Sequence, residues 1–218
     1  MIAYSDNEAT AFTKEIVSKQ GFGTLQAWLL DPNPYKHAQL LLDYVRMDKE
    51  PPYMIYDVGC GTGEMLFQAG ERFPRSLLYG VNRFGSQVSK GLERYGVELR
   101  EADFEHFSLF DNRQFDLIMC NYTLGHFEKP DGAIAAMAGR LRPKGKLLIY
   151  DICQRSVLWD NIYGYHLLSQ RTLRSSLSLF RHAELWVPNN AMLSPVLDEG
   201  VRHDFLTKTI PVIAIGER

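Results

Sequence analysis

Three glycines at alternating positions have the clearest chemical use in this sequence. Gly59, Gly61 and Gly63 directly follow the apolar run YMIYDV and open the helix-like run GEMLFQAGERF. Glycine leaves out the side chain where a ligand must lie against the backbone, and the amides at a helix start offer unpaired donors and partial positive charge. A plain strand-to-helix turn is the alternative, but it needs one glycine rather than three. The loop therefore predicts a ligand site.

The stretches around this loop alternate between strand-like and helix-like patterns. Strands are predicted over YMIYDV, SLLYGV, VELREAD, FDLIMCNY and KLLIYDI, and helices over GEMLFQAGERF, SQVSKGLERY and DGAIAAMAGRLR. Four of the five strands are apolar on both faces, which is typical of a parallel sheet covered by helices on each side. Ligands bind such sheets outside the carboxyl ends of the strands, where the strand order switches. The pattern therefore predicts a doubly wound α/β fold, mostly parallel, with the glycine loop at its ligand edge.

Further segments flank the predicted sheet, and we expect them to belong to one domain over residues 1–218. The late segment is mostly helix-compatible and too long for a simple crossover, while Pro211 favours an edge or antiparallel place for the last strand. The predicted parts are a helical N-terminal extension at 1–50, the core at 53–152, a late helical insertion at 153–200 and a C-terminal strand at 201–218. Both helical segments could form a lid over the ligand edge.

Composition and charge exclude several classes of protein. The 218 residues are 45% hydrophobic and 23% charged, and no apolar run approaches the roughly 20 residues of a membrane helix. A net charge of -2 provides no basic field for nucleic acid. No basic head with an apolar stretch opens the chain, so we predict a cytoplasmic protein with no membrane or nucleic-acid partner. Cys60, Cys120 and Cys153 lack the spacing of a zinc site and are expected to be buried free thiols; no acidic pair indicates a metal.

The spacing of the glycines distinguishes between two kinds of ligand. Dinucleotide-binding loops follow G-x-G-x-x-G, whereas this loop is G-x-G-x-G with Asp57 shortly before it. The pattern hydrophobic-D-x-G-x-G-x-G resembles motif I of the class I S-adenosylmethionine-dependent methyltransferases. READFE, FDLIMCNYTLGHF and LRPKGKLLIYDI resemble later motifs of that family in the right order, over about residues 53 to 152. A nicotinamide-dependent oxidoreductase, which the spacing disfavours, and a non-catalytic S-adenosylmethionine-binding module are the alternatives.

The resemblance implies S-adenosylmethionine as the cofactor and assigns residues to it. Asn82 stands where the family usually has an acidic residue at the ribose, so it can accept one hydrogen bond but lacks the charge of a carboxylate. Asp103 would meet the adenine amino group, with Phe104 beside it. The cofactor residues implied by the resemblance are Asp57, Gly59, Cys60, Gly61, Gly63, Asn82, Arg83, Gln87, Asp103, Phe104, Asn121 and Tyr122.

Methyl transfer from a sulfonium is an in-line displacement, so alignment of the acceptor and exclusion of water matter most. An acceptor that carries a proton also needs a base within hydrogen-bond reach. His126, in the loop that leaves the fourth strand, is the first candidate, and Tyr122 and Glu128 in the same loop are further candidates. A surface or packing role is the alternative for each of them.

The acceptor class is indicated by a weaker resemblance. GVNRFGSQ has the outline G-V-x-x-x-x-x-Q, similar to cyclopropane fatty-acid synthases and prenyl diphosphate C-methyltransferases. Aromatic faces stabilise a carbocation and arginines hold a diphosphate, although the same side chains could instead pack the insertion or face solvent. The candidate substrate residues are Trp28, Tyr35, Tyr163, Tyr165, Arg171 and Arg174, with Arg181 in the same insertion. We expect C-methylation of an isoprenoid diphosphate, with Mg²⁺ as a possible companion, and O- or N-methylation of another small metabolite as the alternative.

Overall fold

A computed structural model describes a central sheet and the helices that cover it. The described residues are 42, 50–95, 97–102, 113–121, 123–154, 161–162, 165–186 and 209–218. The predicted N-terminal extension therefore lies outside the described residues except for Leu42 and Glu50. Leu42 is helical, only 1% exposed, and packs into the core.

Seven strands form the main sheet in the order β3-β2-β1-β4-β5-β9-β8. These strands are β1 (Met54–Val58), β2 (Leu77–Asn82), β3 (Glu98–Glu101), β4 (Phe115–Asn121), β5 (Leu141–Gln154), β8 (His182–Trp186) and β9 (Thr209–Glu217). β1 to β5 pair in parallel, while β9 is antiparallel to both β5 and β8. The predicted fold class, a mostly parallel sheet with an antiparallel C-terminal strand, is confirmed.

Four α-helices and one short 3-10 turn belong to the described chain. They are α1 (Glu64–Arg72), α2 (Gly85–Tyr95), α3 (Pro130–Gly139) and α4 (Gln170–Leu177), with the 3-10 turn at Leu124–His126. Among the described residues, no helix is long and apolar enough to cross a membrane. Buried side chains of α1 and α2 pack in one apolar cluster and those of α3 and α4 in another. Helices therefore cover the two faces of the sheet, as a doubly wound fold requires.

Alternation along β4 explains why its four central residues, 117–120, are all apolar. Leu117 and Met119 lie in the cluster of α1 and α2, while Ile118 and Cys120 lie in the cluster of α3 and α4. Successive side chains of a strand point to opposite faces, so a strand covered on both faces buries every position. This confirms the parallel, doubly covered sheet predicted from the apolar runs.

The strand order reverses at β1, which determines where a ligand fits. β2 and β3 lie on one side of β1, while β4 and β5 lie on the other. The loops that leave β1 and β4 therefore diverge to opposite sides and leave a crevice at the carboxyl ends of these strands. The glycine loop is the exit loop of β1 and forms one wall of this crevice.

The late segment is more mixed than the helical insertion predicted for it. Besides α4 it contains β8 and a two-stranded pair, β6 (Asn161–Ile162) with β7 (Tyr165–His166). β8 pairs with residues 213–217 of β9 and covers that part of its edge. β8 thereby becomes the edge strand of the described sheet, and its length of 5 residues limits pairing with other chains.

The boundary between the helix and the strand before Lys146 also differs from the prediction. The helix predicted to run to Arg142 ends at Gly139, and Leu141 already pairs with Phe115 as part of β5. Pro211 lies in β9 opposite Ile152 of β5, beyond the stretch of β9 that β8 covers. Proline lacks an N–H donor, so a position that no residue of β8 pairs with in the described chain is compatible with it.

Asp116 of β4 is expected to stabilise the amino edge of the sheet. Its Oδ2 atom accepts the N–H groups of Tyr53 (3.0 Å) and Met54 (2.8 Å), and both carboxylate oxygens accept from Arg142 at 3.1 Å. Asp116→Ala should lower the free energy of unfolding by about 1–3 kcal/mol because it removes these acceptors. Urea unfolding measures this change, with Glu71→Ala on the exposed face of α1 as the control. Equal midpoints for the two variants would contradict the assignment.

Candidate cofactor site

The glycine loop has a backbone that other residues rarely adopt. Gly59, Gly61 and Gly63 have φ angles of 73°, 55° and 81°. The N–H groups of Gly59 and Cys60 donate to the carbonyl of Val81 at 2.9 and 3.0 Å, which fastens the loop to the end of β2. Positive φ is strained for most residues with a side chain, so the backbone itself requires glycine here.

The space beside the three glycines differs from one to the next. A Cβ at Gly59 would overlap the Thr123 side chain, and a Cβ at Gly63 would lie 3.0 Å from Leu99 Cδ1. At Gly61 the nearest described atom would be Gln87 Oε1, at 3.9 Å. The loop is therefore packed against protein at its first and last glycines and open at the middle one. Open backbone at the switch point is where a ligand can lie.

The end of β2 forms a second wall of the crevice. Asn82 is the last residue of β2 and is only 4% exposed. Its Nδ2 atom donates to Oε1 of Gln87, an exposed residue in the first turn of α2, at 2.6 Å. Gln87 therefore turns back from the helix toward the strand end and toward Gly61. Three residues that the sequence assigned to one site, Asn82, Gln87 and Gly61, come together.

Two buried polar side chains lack partners at the ends of β1 and β4. Oδ1 of Asp57, and both Oδ1 and Nδ2 of Asn121, are shielded from solvent without a hydrogen bond to any described residue. Burial raises the pKa of Asp57 to about 8. Buried polar groups are nearly always hydrogen-bonded in native proteins, so unpaired ones at a crevice favour a ligand site there. Donors of a ligand, such as an ammonium group or hydroxyls, would satisfy the two oxygens, and an acceptor such as a carboxylate or hydroxyl oxygen would satisfy Asn121 Nδ2.

A buried carboxylate that the sequence analysis missed holds the loop after β4. Oδ2 of Asp151, near the end of β5, accepts the N–H groups of Thr123 (3.1 Å) and Leu124 (2.9 Å). These bonds fix the start of the 3-10 turn that carries His126. Thr123 also donates from Oγ1 to the carbonyl of Asn121 at 2.8 Å, and its side chain fills the space beside Gly59. The only sign in the sequence is an acidic residue inside the apolar run KLLIYDI.

His126 lies on the exposed side of this turn. Partial burial lowers the pKa of His126 below its usual value of 6.5, and the positive charge of Arg83 lowers it further. Arg83 follows β2 and His126 follows β4, so the two loops approach each other across the crevice. The imidazole is neutral at pH 7 and can accept a proton. Glu128 is exposed two residues later.

Cys60 is a packing residue of the loop rather than a nucleophile. It is buried, and its Sγ atom would lie 3.0 Å from a Cβ at Gly80. Burial, with the charge of Asp57, raises the pKa of its thiol, so it is protonated at neutral pH. Cys120 and Cys153 are also buried and free, which confirms the prediction for all three cysteines.

Several predicted site residues cannot be placed. Asp103, Phe104, Tyr122, Trp28, Tyr35 and Tyr163 lie outside the described residues, and of Tyr165 only the backbone in β7 is described. Arg171 and Arg174 are exposed on α4. Arg181 lies at the amino edge of the sheet, where its backbone N–H donates to the backbone carbonyl of Glu217 at 2.9 Å. Because the glycine loop is at the opposite edge, Arg181 does not join the other two arginines in one cluster over the crevice.

Residues 56–149 match the family model described as "Methyltransferase domain". This span contains the glycine loop, the amide pair of Asn82 and Gln87, and the loop of His126. Over this span the chain is similar to methyltransferase domains, as the class I, S-adenosylmethionine-dependent motifs indicate. The resemblance drawn from the motifs is therefore confirmed for the core of the chain.

The names of curated relatives specify methyl transfer to different acceptor atoms. A malonyl-[acyl-carrier protein] O-methyltransferase of Anoxybacillus flavithermus is 30% identical over 101 residues, which cover 45% of this chain and 38% of the relative. Phosphoethanolamine N-methyltransferase 1 of Arabidopsis thaliana is 31% identical over 114 residues, which cover 50% of this chain and 23% of the relative. The matched region thus spans well under half the length of these relatives.

A solved structure shows the same fold over most of the chain. Geranyl diphosphate C-methyltransferase from Streptomyces coelicolor, in complex with Mg²⁺, geranyl-S-thiolodiphosphate and S-adenosyl-L-homocysteine, superposes with a TM-score of 0.67. The match covers 84% of this chain and 75% of the other, at 17% identity. At this identity the likeness concerns the fold.

The described residues fit S-adenosylmethionine. The open backbone at Gly61 leaves room for a ligand, and Asp57 and Asn121 offer unpaired polar atoms to its donors. Asn82 and Gln87 offer amide oxygens at the end of β2. No group of three or more His, Cys, Asp or Glu side chains suited to a metal ion occurs within the described ranges.

Proposed function

We propose that this chain transfers a methyl group from S-adenosylmethionine to a small-molecule acceptor. The observation that carries the proposal is the open backbone at Gly61, at the switch point of a methyltransferase domain, in a loop whose other glycines are packed against protein. The net charge of -2 supports a small acceptor rather than nucleic acid. A cytoplasmic location remains a prediction.

In this proposal the residues of the crevice have separate roles. Asp57 and Asn121 hold the methionine end of the cofactor, and the amide of Asn82, which is hydrogen-bonded to Gln87, holds its sugar. When bound, S-adenosylmethionine supplies an electrophilic methyl group. His126, neutral at pH 7, accepts the proton that an acceptor must lose as it is methylated.

For the acceptor we propose an isoprenoid diphosphate, methylated at carbon, as the first class to test. The outline G-V-x-x-x-x-x-Q and the fold of a geranyl diphosphate C-methyltransferase support it. Arg171 and Arg174 remain candidates for the diphosphate, while Arg181 lies at the opposite edge of the sheet and is not a candidate. O- or N-methylation is the second candidate, because the curated relatives carry names of both kinds.

The test is methyl transfer from S-adenosylmethionine labelled in its methyl group. One panel contains isopentenyl, dimethylallyl and geranyl diphosphates with and without Mg²⁺, and a second contains small carboxylates and amines. Label in one diphosphate product supports C-methylation, and label in the second panel supports the O- or N-methyltransferase. Cofactor binding without label in any product would favour a non-catalytic binding module.

His126→Ala is expected to reduce turnover by about 100-fold or more while cofactor affinity stays within about twofold, because a base acts on the acceptor. The pKa of His126 lies below 6.5, so wild-type turnover should fall as the pH drops through that lowered pKa. The variant should lack this acidic limb. Rates across pH 5–8 measure it, with His182→Ala at the amino edge of the sheet as the control. An unchanged rate, or loss of cofactor affinity as well, would rule out the base.

A further inference from the structure

The hydrogen bond between Asn82 and Gln87 determines the orientation of the Asn82 side-chain amide. Nδ2 of Asn82 donates to Gln87 Oε1 at 2.6 Å. An asparagine amide carries two N–H donors on Nδ2 and an acceptor at Oδ1, so this bond orients Nδ2 toward Gln87. The Oδ1 atom of Asn82 is then left as an acceptor at the carboxyl end of β2.

Gln87 is exposed on α2, yet its side chain turns back to bind the buried Asn82 instead of extending into solvent. Ordering an exposed glutamine costs conformational entropy, so the contact needs a compensating gain. If Gly61 carried a Cβ atom, the nearest described atom to it would be Oε1 of Gln87, at 3.9 Å. The bond therefore lies at the border between the strand end and the space for the ligand.

We propose that Gln87 is a positioning residue: its amide oxygen holds the Asn82 carboxamide so that Asn82 Oδ1 accepts a hydrogen bond from a cofactor hydroxyl. The inference rests on the proposed function and deepens it. A carboxylate at this position would present acceptors in either orientation, whereas a carboxamide must be oriented. Gln87 supplies that orientation and lets a neutral residue act at the end of β2.

Two variants of Gln87 separate positioning from direct contact. Gln87→Glu keeps an acceptor oxygen at the place of Oε1 but removes the amide donor. Gln87→Met keeps the length of the side chain and removes the acceptor. Both changes lie at an exposed helix position, so neither is expected to prevent folding.

The experiment is calorimetric titration of S-adenosylhomocysteine into the full chain. We expect Gln87→Met to weaken binding by about 3- to 10-fold, the effect of one neutral hydrogen bond, and Gln87→Glu to stay within about twofold of wild type. In an Asn82→Ala background, Gln87→Met should have no further effect, since its target is gone. Glu93→Met, exposed on the same helix, serves as the control.

Three results would overturn the inference. Wild-type affinity in Gln87→Met shows that the bond is not used, and equal losses for both substitutions show that the amide donor matters instead. Additive losses in the Asn82→Ala background show that Gln87 contacts the ligand by itself. Absence of binding by the wild-type chain is a different failure, because it removes the proposed function before Gln87 is tested.

Discussion

Gly61→Asn is expected to reduce S-adenosylhomocysteine binding by on the order of 100-fold or more while the chain stays folded. Asparagine tolerates the left-handed backbone of Gly61 (φ 55°) better than other residues with a side chain, so the stability cost should be about 1 kcal/mol or less. Its side chain would occupy the open space where the ligand is proposed to lie. Calorimetric titration and urea unfolding of the same variant measure the two effects.

Two other glycines provide matched controls for this prediction. Gly132→Asn on α3 adds the same side chain where a Cβ would meet only Lys129 Cβ, at 3.6 Å, and should leave binding unchanged. Gly59→Ala should lower stability instead, because its Cβ would overlap Thr123. Retained affinity in Gly61→Asn would show that the ligand does not approach the loop there.

Asp57→Asn is expected to stabilise the ligand-free chain by several kcal/mol at pH 8, and much less at pH 4. The pKa of Asp57 is raised from 3.8 in the unfolded chain to about 8 in the fold, because the carboxyl is buried. The folded state therefore binds more protons between these values, and wild-type stability falls as the pH rises from about 4 to 8. Asparagine does not titrate and should lack this part of the decline.

The same substitution should weaken S-adenosylhomocysteine binding by about tenfold or more, which is the loss of affinity expected for one charge-assisted hydrogen bond. The ionised carboxylate can accept hydrogen bonds from an ammonium group, which the amide does with less strength. Urea unfolding at pH 4, 6 and 8, together with titration at pH 8, checks both effects. Parallel pH profiles of wild type and variant would contradict the raised pKa, and unchanged affinity would remove Asp57 from the site.

Much of the core could be predicted because its determinants are local. Mostly apolar runs of six to eight residues predicted β1, β2 and β4 within one or two residues of their observed bounds. The glycine loop was recognisable because glycines at this spacing serve a backbone conformation, and all three have positive φ. Asn82 and Gln87 were assigned to one site from a sequence outline, and the bond between them agrees with that grouping.

The features that were missed depend on partners distant in the chain. Asp151 binds backbone groups 27 and 28 residues away, and nothing local distinguishes it from any acid in a strand. β8 is a strand because residues 213–217 present an edge for it, although the local sequence around it is compatible with a helix. Arg181 was predicted to lie in one helical insertion with Arg171 and Arg174, whereas α4 ends at Leu177, before Arg181.

Titration of the wild-type chain with S-adenosylhomocysteine, and separately with a nicotinamide dinucleotide, tests the glycine-loop assignment most directly. We expect saturable binding of one S-adenosylhomocysteine molecule per chain, with affinity on the order of micromolar, and no heat of binding from the dinucleotide. Binding of the dinucleotide instead, or of neither molecule, would contradict a cofactor site for S-adenosylmethionine in this crevice.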